Sequence, residues 1–135
     1  MAIIDEIISV SNGKLSFGNY LSYDKQKVSN FESDGNMYNV GTHRLVTRLE
    51  KNNGLLLEAV PGATVHDLEI SDNTVEFSIE GFDSTQITME LEGATEYKID
   101  VDNLQAGVTT SSKSGKLCFS LELGKMAKEV RIVKL

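Results

Sequence analysis

The sequence predicts an all-β protein, an antiparallel β-sandwich of the immunoglobulin/fibronectin-like or jelly-roll-like kind. Two observations support this prediction. Apolar and polar residues alternate with a period of two from about residue 64 to the C-terminus. Turn residues separate these runs at intervals of roughly 8 to 12 residues, the spacing of sandwich strands. Because no Pro/Ser-rich linker divides the 135-residue chain, we expect one domain over residues 1–135.

The alternation is clearest in four successive runs, at 74–80, 86–92, 96–102 and 117–123. In the first run Val75, Phe77 and Ile79 alternate with polar residues. This pattern turns one face of each strand toward a core and the other toward water. The sequence therefore predicts an antiparallel sheet with one solvent-exposed face.

Turn residues indicate where strands reverse direction. Asn12-Gly13 is a strong hairpin signal because both residues tolerate positive φ, and it favours a strand over a helix for the preceding isoleucine-rich segment. Ser71-Asp72-Asn73 predicts a second hairpin, and Val60-Pro61-Gly62 predicts a turn between strands. Glu92-Gly93 and Ser114-Gly115 separate later strands. These signals together predict about nine to eleven strands.

Asn53-Gly54 is compatible with two structures. It could join two strands, or it could follow a short helix near residues 43–52 with Thr42 as its N-cap. Leu45, Val46 and Leu49 suit the apolar face of such a helix. The sequence leaves both structures open.

Composition excludes several classes of function. The chain holds 20 acidic and 13 basic residues, a net charge of −7, which argues against nucleic acid and anionic membranes as partners. One cysteine and two histidines cannot form an internal disulfide or a Cys/His zinc site, so we expect no metal and no cofactor. Without a basic leader or an apolar run of membrane-spanning length, we expect a soluble, cytoplasmic protein.

Charge is unevenly distributed along the chain. Residues 66–105 hold 11 acidic residues and one basic residue, a net of −10, whereas residues 106–135 hold two acidic and six basic residues, a net of +4. The interpretation we favour places the basic C-terminal segment beside the acidic strands, where it reduces repulsion. The alternative is an acidic surface for cations or a basic partner.

Two groups of residues are candidates for ligand binding. His43, Arg44 and Arg48 could form a polar cluster that binds a carboxylate or phosphate, because an arginine fork matches both. Five aromatic residues lie between positions 17 and 38, and they could serve the core or a binding surface. The candidate ligand-binding residues are His43, Arg44, Arg48, Tyr20, Tyr23 and Tyr38.

The sequence also predicts the positions of two other reactive side chains, His66 and Cys118. His66 is in register with Leu68, so we expect it at the apolar face or its rim, in a structural role, with Asp67 pointing away. Cys118 falls on the polar register of its strand. We assign no catalytic residue, because no nucleophile elbow, phosphate loop or zinc-protease motif is present.

The segments 96–102, 114–120 and 130–132 resemble the last strands of fibronectin-type and related accessory β-sandwich domains, which accompany polysaccharide-active enzymes in bacteria. Thr47-Arg48-Leu49-Glu50 and Val60-Pro61-Gly62 are similar to small stand-alone bacterial proteins described as endosialidase-like. The resemblance implies a β-sandwich in a carbohydrate-related setting. No catalytic residue is transferred, because no sialidase motif is visible.

Three functions are consistent with these observations. The leading hypothesis is a non-catalytic β-sandwich that binds a protein or glycan partner, with assembly into a homo-oligomer as a further possibility. The second is a small glycan-active, endosialidase-like enzyme that uses an Asp/Glu pair. The third is a structural subunit of a larger assembly, for which a long unpaired edge strand would be the sign.

Overall fold

The structure, a computed structural model, describes residues 7–135 and consists almost entirely of β-strands. The strands of this part of the chain are β1 Ile8–Ser11, β2 Lys14–Phe17, β3 Gln26–Ser33, β4 Asn36–Thr42, β5 Thr47–Lys51, β6 Gly54–Val60, β7 Ala63–Ile70, β8 Thr74–Gly81, β9 Ser84–Glu90, β10 Glu96–Val101, β11 Leu104–Thr110, β12 Lys116–Glu122 and β13 Lys128–Lys134. Between residues 7 and 135 no helix is long and apolar enough to span a membrane.

The strands form two antiparallel sheets that pack face to face. One sheet has seven strands in the order β1-β2-β7-β8-β13-β10-β11, and the other has six in the order β12-β9-β6-β5-β4-β3. Side chains from both sheets meet in a single apolar core, for example Phe77 and Ile79 from the first sheet and Leu57 and Met89 from the second. The predicted all-β sandwich is therefore confirmed.

The four alternating runs form β8, β9, β10 and β12. In β8 the inward residues Val75, Phe77 and Ile79 are each at most 4% exposed, whereas Glu76 faces solvent. The predicted hairpins are also present, because Asn12-Gly13 joins β1 to β2 and residues 71–73 join β7 to β8. The first residues of the predicted opening strand, 3–6, lie outside the described residues.

The chain forms thirteen described strands, more than the nine to eleven predicted. One reversal that the periodicity did not reveal lies at Asp34-Gly35, where both residues adopt positive φ, 51° and 78°, and turn β3 into β4. The alternation of β3 is also interrupted by a bulge near Asn30, which has a φ of 59°. A bulge changes which residues face the core, so this strand was difficult to recognise.

The helix considered near residues 43–52 does not form. Residues 43–46 are a loop, and β5 follows at Thr47–Lys51. Thr47 and Leu49 are fully buried between partly exposed neighbours, so the segment follows a period of two. Asn52 and Asn53 have φ values of 50° and 69° and turn the chain back into β6, as the hairpin alternative at Asn53-Gly54 requires.

Candidate functional site

Several connections between strands meet at one end of the sandwich, which we call the loop end. It comprises residues 18–25, 43–46, 61–62, 82–83 and 123–127. Backbone hydrogen bonds join these connections: Arg44 N–H donates to Ser22 O at 2.9 Å, and Gly62 N–H donates to Arg44 O at 2.9 Å. Leu123 N–H donates to Asp83 O at 3.3 Å. The loops therefore form one connected surface.

Arg44 contacts two aromatic rings on this surface. Its guanidinium carbon lies 4.4 Å from the ring centroid of Tyr23 and 5.9 Å from that of Phe82. Phe82 in turn meets Tyr20 edge to face, with centroids 4.9 Å apart and ring planes at 82°. Cation–π and edge-to-face contacts of this kind fix the relative positions of the side chains. We call Tyr20, Tyr23, Arg44 and Phe82 the aromatic–arginine stack.

A buried carboxylate supports the base of the stack. The Tyr20 hydroxyl donates to Glu80 Oε2 at 3.4 Å, and His66 Nε2 lies 2.8 Å from Glu80 Oε1. Glu80 is 2% exposed, although it lies on the outer face of the seven-stranded sheet. Burial, together with the charge and hydrogen bond of Glu80, raises the pKa of Tyr20. Buried charge requires such partners, so Tyr20 and His66 together satisfy the carboxylate.

The position of His66 differs from the sequence expectation. His66 pairs with Ser78 across β7 and β8, so it lies on the outer face and not on the apolar face that Leu68 shares. The reason is a bulge after His66 at Asp67, whose φ is 56°. The inserted residue reverses the alternation, because two residues of one strand then oppose one of the other.

The segment that covers Glu80 is anchored by a glycine and a threonine. Gly18 adopts a φ of 94°, and a Cβ there would come within 2.5 Å of the Ala63 carbonyl oxygen. Thr64 Oγ1 donates to Gly18 O at 3.3 Å and accepts from Tyr20 N–H at 3.4 Å. The chain can therefore cross close to β7 and place Tyr20 over Glu80.

Several large apolar side chains are exposed on the loop end. Tyr23 is 79% exposed and Phe82 is 51% exposed, as expected of a surface rather than a core. The other exposed apolar residues of the loop end and its border are Leu21, Leu45, Val60 and Met126. A cluster of exposed apolar residues on one surface is typical of an interaction site, whereas scattered ones need no explanation.

The predicted cluster of His43, Arg44 and Arg48 is divided between two places. Arg44 belongs to the stack, whereas His43 and Arg48 line a groove on the outer face of the six-stranded sheet. Arg48 Nε contacts Glu50 Oε2 at 3.2 Å, and its Nη1 contacts Glu58 Oε2 at 3.0 Å. Burial lowers the pKa of Arg48, but these two carboxylates outweigh burial and raise it.

Of the three candidate tyrosines, Tyr20 and Tyr23 belong to the stack, and Tyr38 does not. Tyr38 is 7% exposed within the apolar core, where β4 pairs with β3 and β5. Burial, followed by the charge of Asp34, raises its pKa. Phe17 is likewise a core residue, so core packing accounts for part of the aromatic cluster.

Sequence reasoning missed Phe82 and Glu80. Phe82 lies in the two-residue connection Phe82-Asp83. A large apolar residue is unusual in so short a connection, and this feature could have identified Phe82 from the sequence. Glu80 occupies an ordinary outward position of an alternating strand, like Glu76 four residues earlier. Nothing in the local sequence distinguishes Glu80 from Glu76, because it is the distant segment carrying Tyr20 that buries Glu80.

The structure places basic strands beside acidic ones. β13 lies between β8 and β10, and Arg131 Nε contacts Glu76 Oε1 at 3.0 Å across the first of these pairs. Lys134 Nζ contacts Glu92 Oε2 at 2.5 Å. The basic strand β13 therefore lies beside the acidic strands β8 and β10, as the favoured interpretation expects. Cys118 is exposed on β12, as its polar register predicts.

These features define a class of protein: an antiparallel β-sandwich that carries an aromatic–arginine stack at one end. In the described part of the chain, no group of three or more His, Cys, Asp and Glu side chains could hold a metal ion. Comparison with known proteins finds no matching protein family, no similar curated protein and no similar solved structure.

Proposed function

We propose that the protein is a non-catalytic binding module that contacts a protein partner through its loop end. One observation supports this most directly: the Arg44 guanidinium lies against both Tyr23 and Phe82, whose side chains remain 79% and 51% exposed. Tyr, Phe, Met and Arg are enriched in protein interfaces, and Tyr and Arg are frequent among the residues that dominate binding energy.

Rigidity of the stack adds to this argument. Binding by flexible side chains loses conformational entropy, whereas preorganised side chains lose less. The stack is fixed from below, because Tyr20 contacts Phe82 on one side and Glu80 on the other. The surface can therefore bind without first becoming ordered.

A protein partner fits the loop end better than a glycan. Leu21, Leu45 and Met126 are exposed by 38%, 69% and 86%. Their side chains offer no hydrogen-bonding group to sugar hydroxyls, but they suit the apolar interior of a protein interface. A glycan partner is the alternative that the resemblance to accessory sandwich domains favours.

The test uses a photo-crosslinking amino acid at Leu45 in an otherwise unchanged chain. In extract of the cells that make the protein, we expect a discrete protein adduct that disappears when Arg44→Ala is added. The same probe at Val10, exposed on the distant strand β1, is the control. Retention of the Leu45 adduct in the Arg44→Ala variant would count against the proposal. Binding on a glycan array with no protein adduct would favour the glycan alternative.

A second candidate function, assembly with further copies of this chain, is favoured by β11. This strand forms one edge of the seven-stranded sheet, and its sequence from Leu104 to Thr110 contains no charged residue. It has a bulge near Ala106, but residues 107–110 beyond the bulge pair regularly with β10. Edge strands are usually protected by charges, bulges or short length. At the other three edges β1 has only four residues, β3 carries Lys27 and Glu32, and β12 carries Lys116 and Glu122.

The β11 edge could pair with the same edge of a second copy around a two-fold axis near Val108. Such pairing would bring no like charges together, because residues 104–110 are uncharged. Sedimentation velocity over a range of concentrations tests this idea. We expect self-association that Val108→Lys abolishes and Val10→Lys, on edge strand β1, leaves intact. A chain that remains monomeric at every concentration would exclude assembly through β11.

The glycan-active alternative requires two carboxylates that flank a substrate. The structure brings Glu50 and Glu58 together, but both contact the same guanidinium of Arg48. A pair occupied in this way is not free to act on either side of a glycosidic bond. We therefore rank the enzyme behind the binding module.

A further inference from the structure

A groove of about 310 Å³ crosses the outer face of the six-stranded sheet near the loop end. Its volume is at the small end of the range for ligand sites, roughly 300 to 1,000 Å³. Its lining includes Lys25, Lys27, Gly41, His43, Val46 and Arg48, together with the carboxylate of Glu50 beside Arg48. We call it the Gly41 groove. It shares no residue with the aromatic–arginine stack.

Gly41 forms the floor of the groove. In the register of the sheet it lies between Lys27 on β3 and Arg48 on β5. Neighbouring strands are about 4.8 Å apart, so the two side chains stand about 10 Å apart with no side chain between them. The missing side chain opens the groove.

No structural requirement explains a glycine at this position. Gly41 does not adopt a positive φ, and a Cβ placed there would meet no atom within 4 Å. Glycine weakens the interior of a strand because it has no side chain to pack. By contrast, Gly18 needs both its φ of 94° and its lack of a Cβ. The one structural effect of glycine at position 41 is that it leaves the floor of the groove open.

The β3 side of the groove is basic. Lys25 and Lys27 are exposed and form no ion pair with any residue between 7 and 135. Arg48 is held in place by Glu50 and Glu58, and the guanidinium still has further N–H donors. Glu50 also lines the groove, and Arg48 with its two carboxylate partners carries a net charge of −1. The positive charge available to an anion therefore comes from the two unpaired lysines, in a chain whose net charge is −7.

We propose that the Gly41 groove binds a small organic anion through a carboxylate or phosphate group. Lys25 and Lys27 supply charge-assisted hydrogen bonds to the anionic group, and His43 lies at the same end. Val46 and the aliphatic part of Lys27 contact the body of the ligand, which lies over Gly41. Lys25, His43 and Val46 border the loop end, but none of them belongs to the aromatic–arginine stack.

The experiment is a titration followed by the backbone amide signals of ¹⁵N-labelled protein at constant ionic strength. Inorganic phosphate and the dicarboxylate glutarate are the two probes, and their relative affinities show which anionic group the groove prefers. We expect saturable shifts centred on Gly41 and its neighbours with at least one probe. We expect Lys25→Gln/Lys27→Gln to raise Kd by tenfold or more.

Two matched controls separate the site from general effects. Lys113→Gln/Lys125→Gln removes the same charge from exposed lysines outside the groove, so it should change Kd less than twofold. Gly41→Val should fill the floor and raise Kd at least tenfold. Gly107→Val should not, although Gly107 is also in a strand with open space at its Cβ.

The folding of Gly41→Val is measured in the same samples by thermal unfolding. We expect its melting temperature to equal or exceed that of the wild type, because valine suits strands better than glycine does. Three results would overturn the proposal: shifts that do not saturate, an equal loss in the Lys113/Lys125 control, or unchanged affinity in both Gly41→Ala and Gly41→Val. Loss of the Leu45 crosslink has no bearing on this result, because that experiment depends on Arg44 of the aromatic–arginine stack, and the stack shares no residue with the Gly41 groove.

Discussion

His66 Nε2 lies 2.8 Å from Glu80 Oε1 on the outer face of a sheet, where side chains normally face water. The Glu80 side chain is only 3% exposed and that of His66 is 18% exposed. The carboxylate is buried because the segment that carries Tyr20 crosses the strand at this point. This contact connects the rigid sheet to the loop end, so its loss should affect both stability and binding.

Glu80→Gln should destabilise the protein substantially. The amide cannot replace the charge that His66 and Tyr20 contact, so we expect a loss of about 2–3 kcal/mol in the free energy of unfolding. The measurement is urea denaturation at pH 7. Glu76→Gln is the matched control, because Glu76 lies on the same face of β8 but its ion pair with Arg131 is about half exposed. That variant should lose less than about 1 kcal/mol. Similar losses in both variants would contradict the buried role of Glu80.

Tyr20→Phe should change how stability depends on alkaline pH. Burial and then Glu80 raise the pKa of Tyr20 above its ordinary value of 10.0, so the folded state retains the phenolic proton longer than the unfolded state. The resulting stabilisation is complete below pH 10 and is lost as pH rises through the folded pKa. Tyr20→Phe removes this part of the dependence.

Denaturation with urea at several values between pH 8 and 11 measures the effect. The difference in stability between the wild type and Tyr20→Phe should change above pH 10. The pKa of Tyr38 is also raised, by burial and then by Asp34, so Tyr38 contributes to the same dependence of stability on alkaline pH. The double variant Tyr20→Phe/Tyr38→Phe should therefore depend on pH less than either single variant. An unchanged slope in Tyr20→Phe would be evidence against the buried contact with Glu80.

The sequence alone predicted much of the sandwich, because alternation along a strand reports directly on which side chains are buried. Val75, Phe77 and Ile79 show this for β8. The prediction was wrong or incomplete where the period was broken. The bulge at Asp67 reversed the expected face of His66, and the short β5 was too brief to be distinguished from a helix.

Only part of the candidate site was predictable. Arg44, Tyr23 and Tyr20 were identified as candidates, but their arrangement depends on Phe82 and Glu80, which are distant in sequence. Contacts of this kind depend on how loops from both sheets meet, and periodicity contains no information about them. The same limit explains why Arg48 was grouped with Arg44, although the structure places them on different surfaces.

Gly18→Ala should destabilise the protein more than Gly13→Ala. Both glycines have positive φ, 94° and 77°, so both substitutions introduce backbone strain. A Cβ at Gly18 would also collide with the Ala63 carbonyl oxygen, whereas one at Gly13 would meet nothing within 4 Å. We expect about 1 kcal/mol for Gly13→Ala and about 3 kcal/mol for Gly18→Ala, measured by urea denaturation. Equal losses would show that the segment over Glu80 moves freely to accommodate the methyl group.

Arg131→Glu should test whether the basic C-terminal strand neutralises its acidic neighbours. Arg131 contacts Glu76 on β8 and pairs with Asp100 on β10. The substitution therefore replaces an attraction by repulsion from both sides. Because the Arg131 and Glu76 side chains are 55% and 51% exposed, we expect a loss of only about 1 kcal/mol at low ionic strength.

Salt and a charge swap identify the cause of that loss. At 1 M NaCl the screening length is about 3 Å, so most of the destabilisation should disappear. The double variant Glu76→Arg/Arg131→Glu restores the attraction with its direction reversed, and it should recover part of the stability at low salt. Asp100 keeps this recovery incomplete, because the glutamate at position 131 still faces it. If the loss persists at high salt and in the charge swap, packing of the arginine stem stabilises this pair of strands rather than charge.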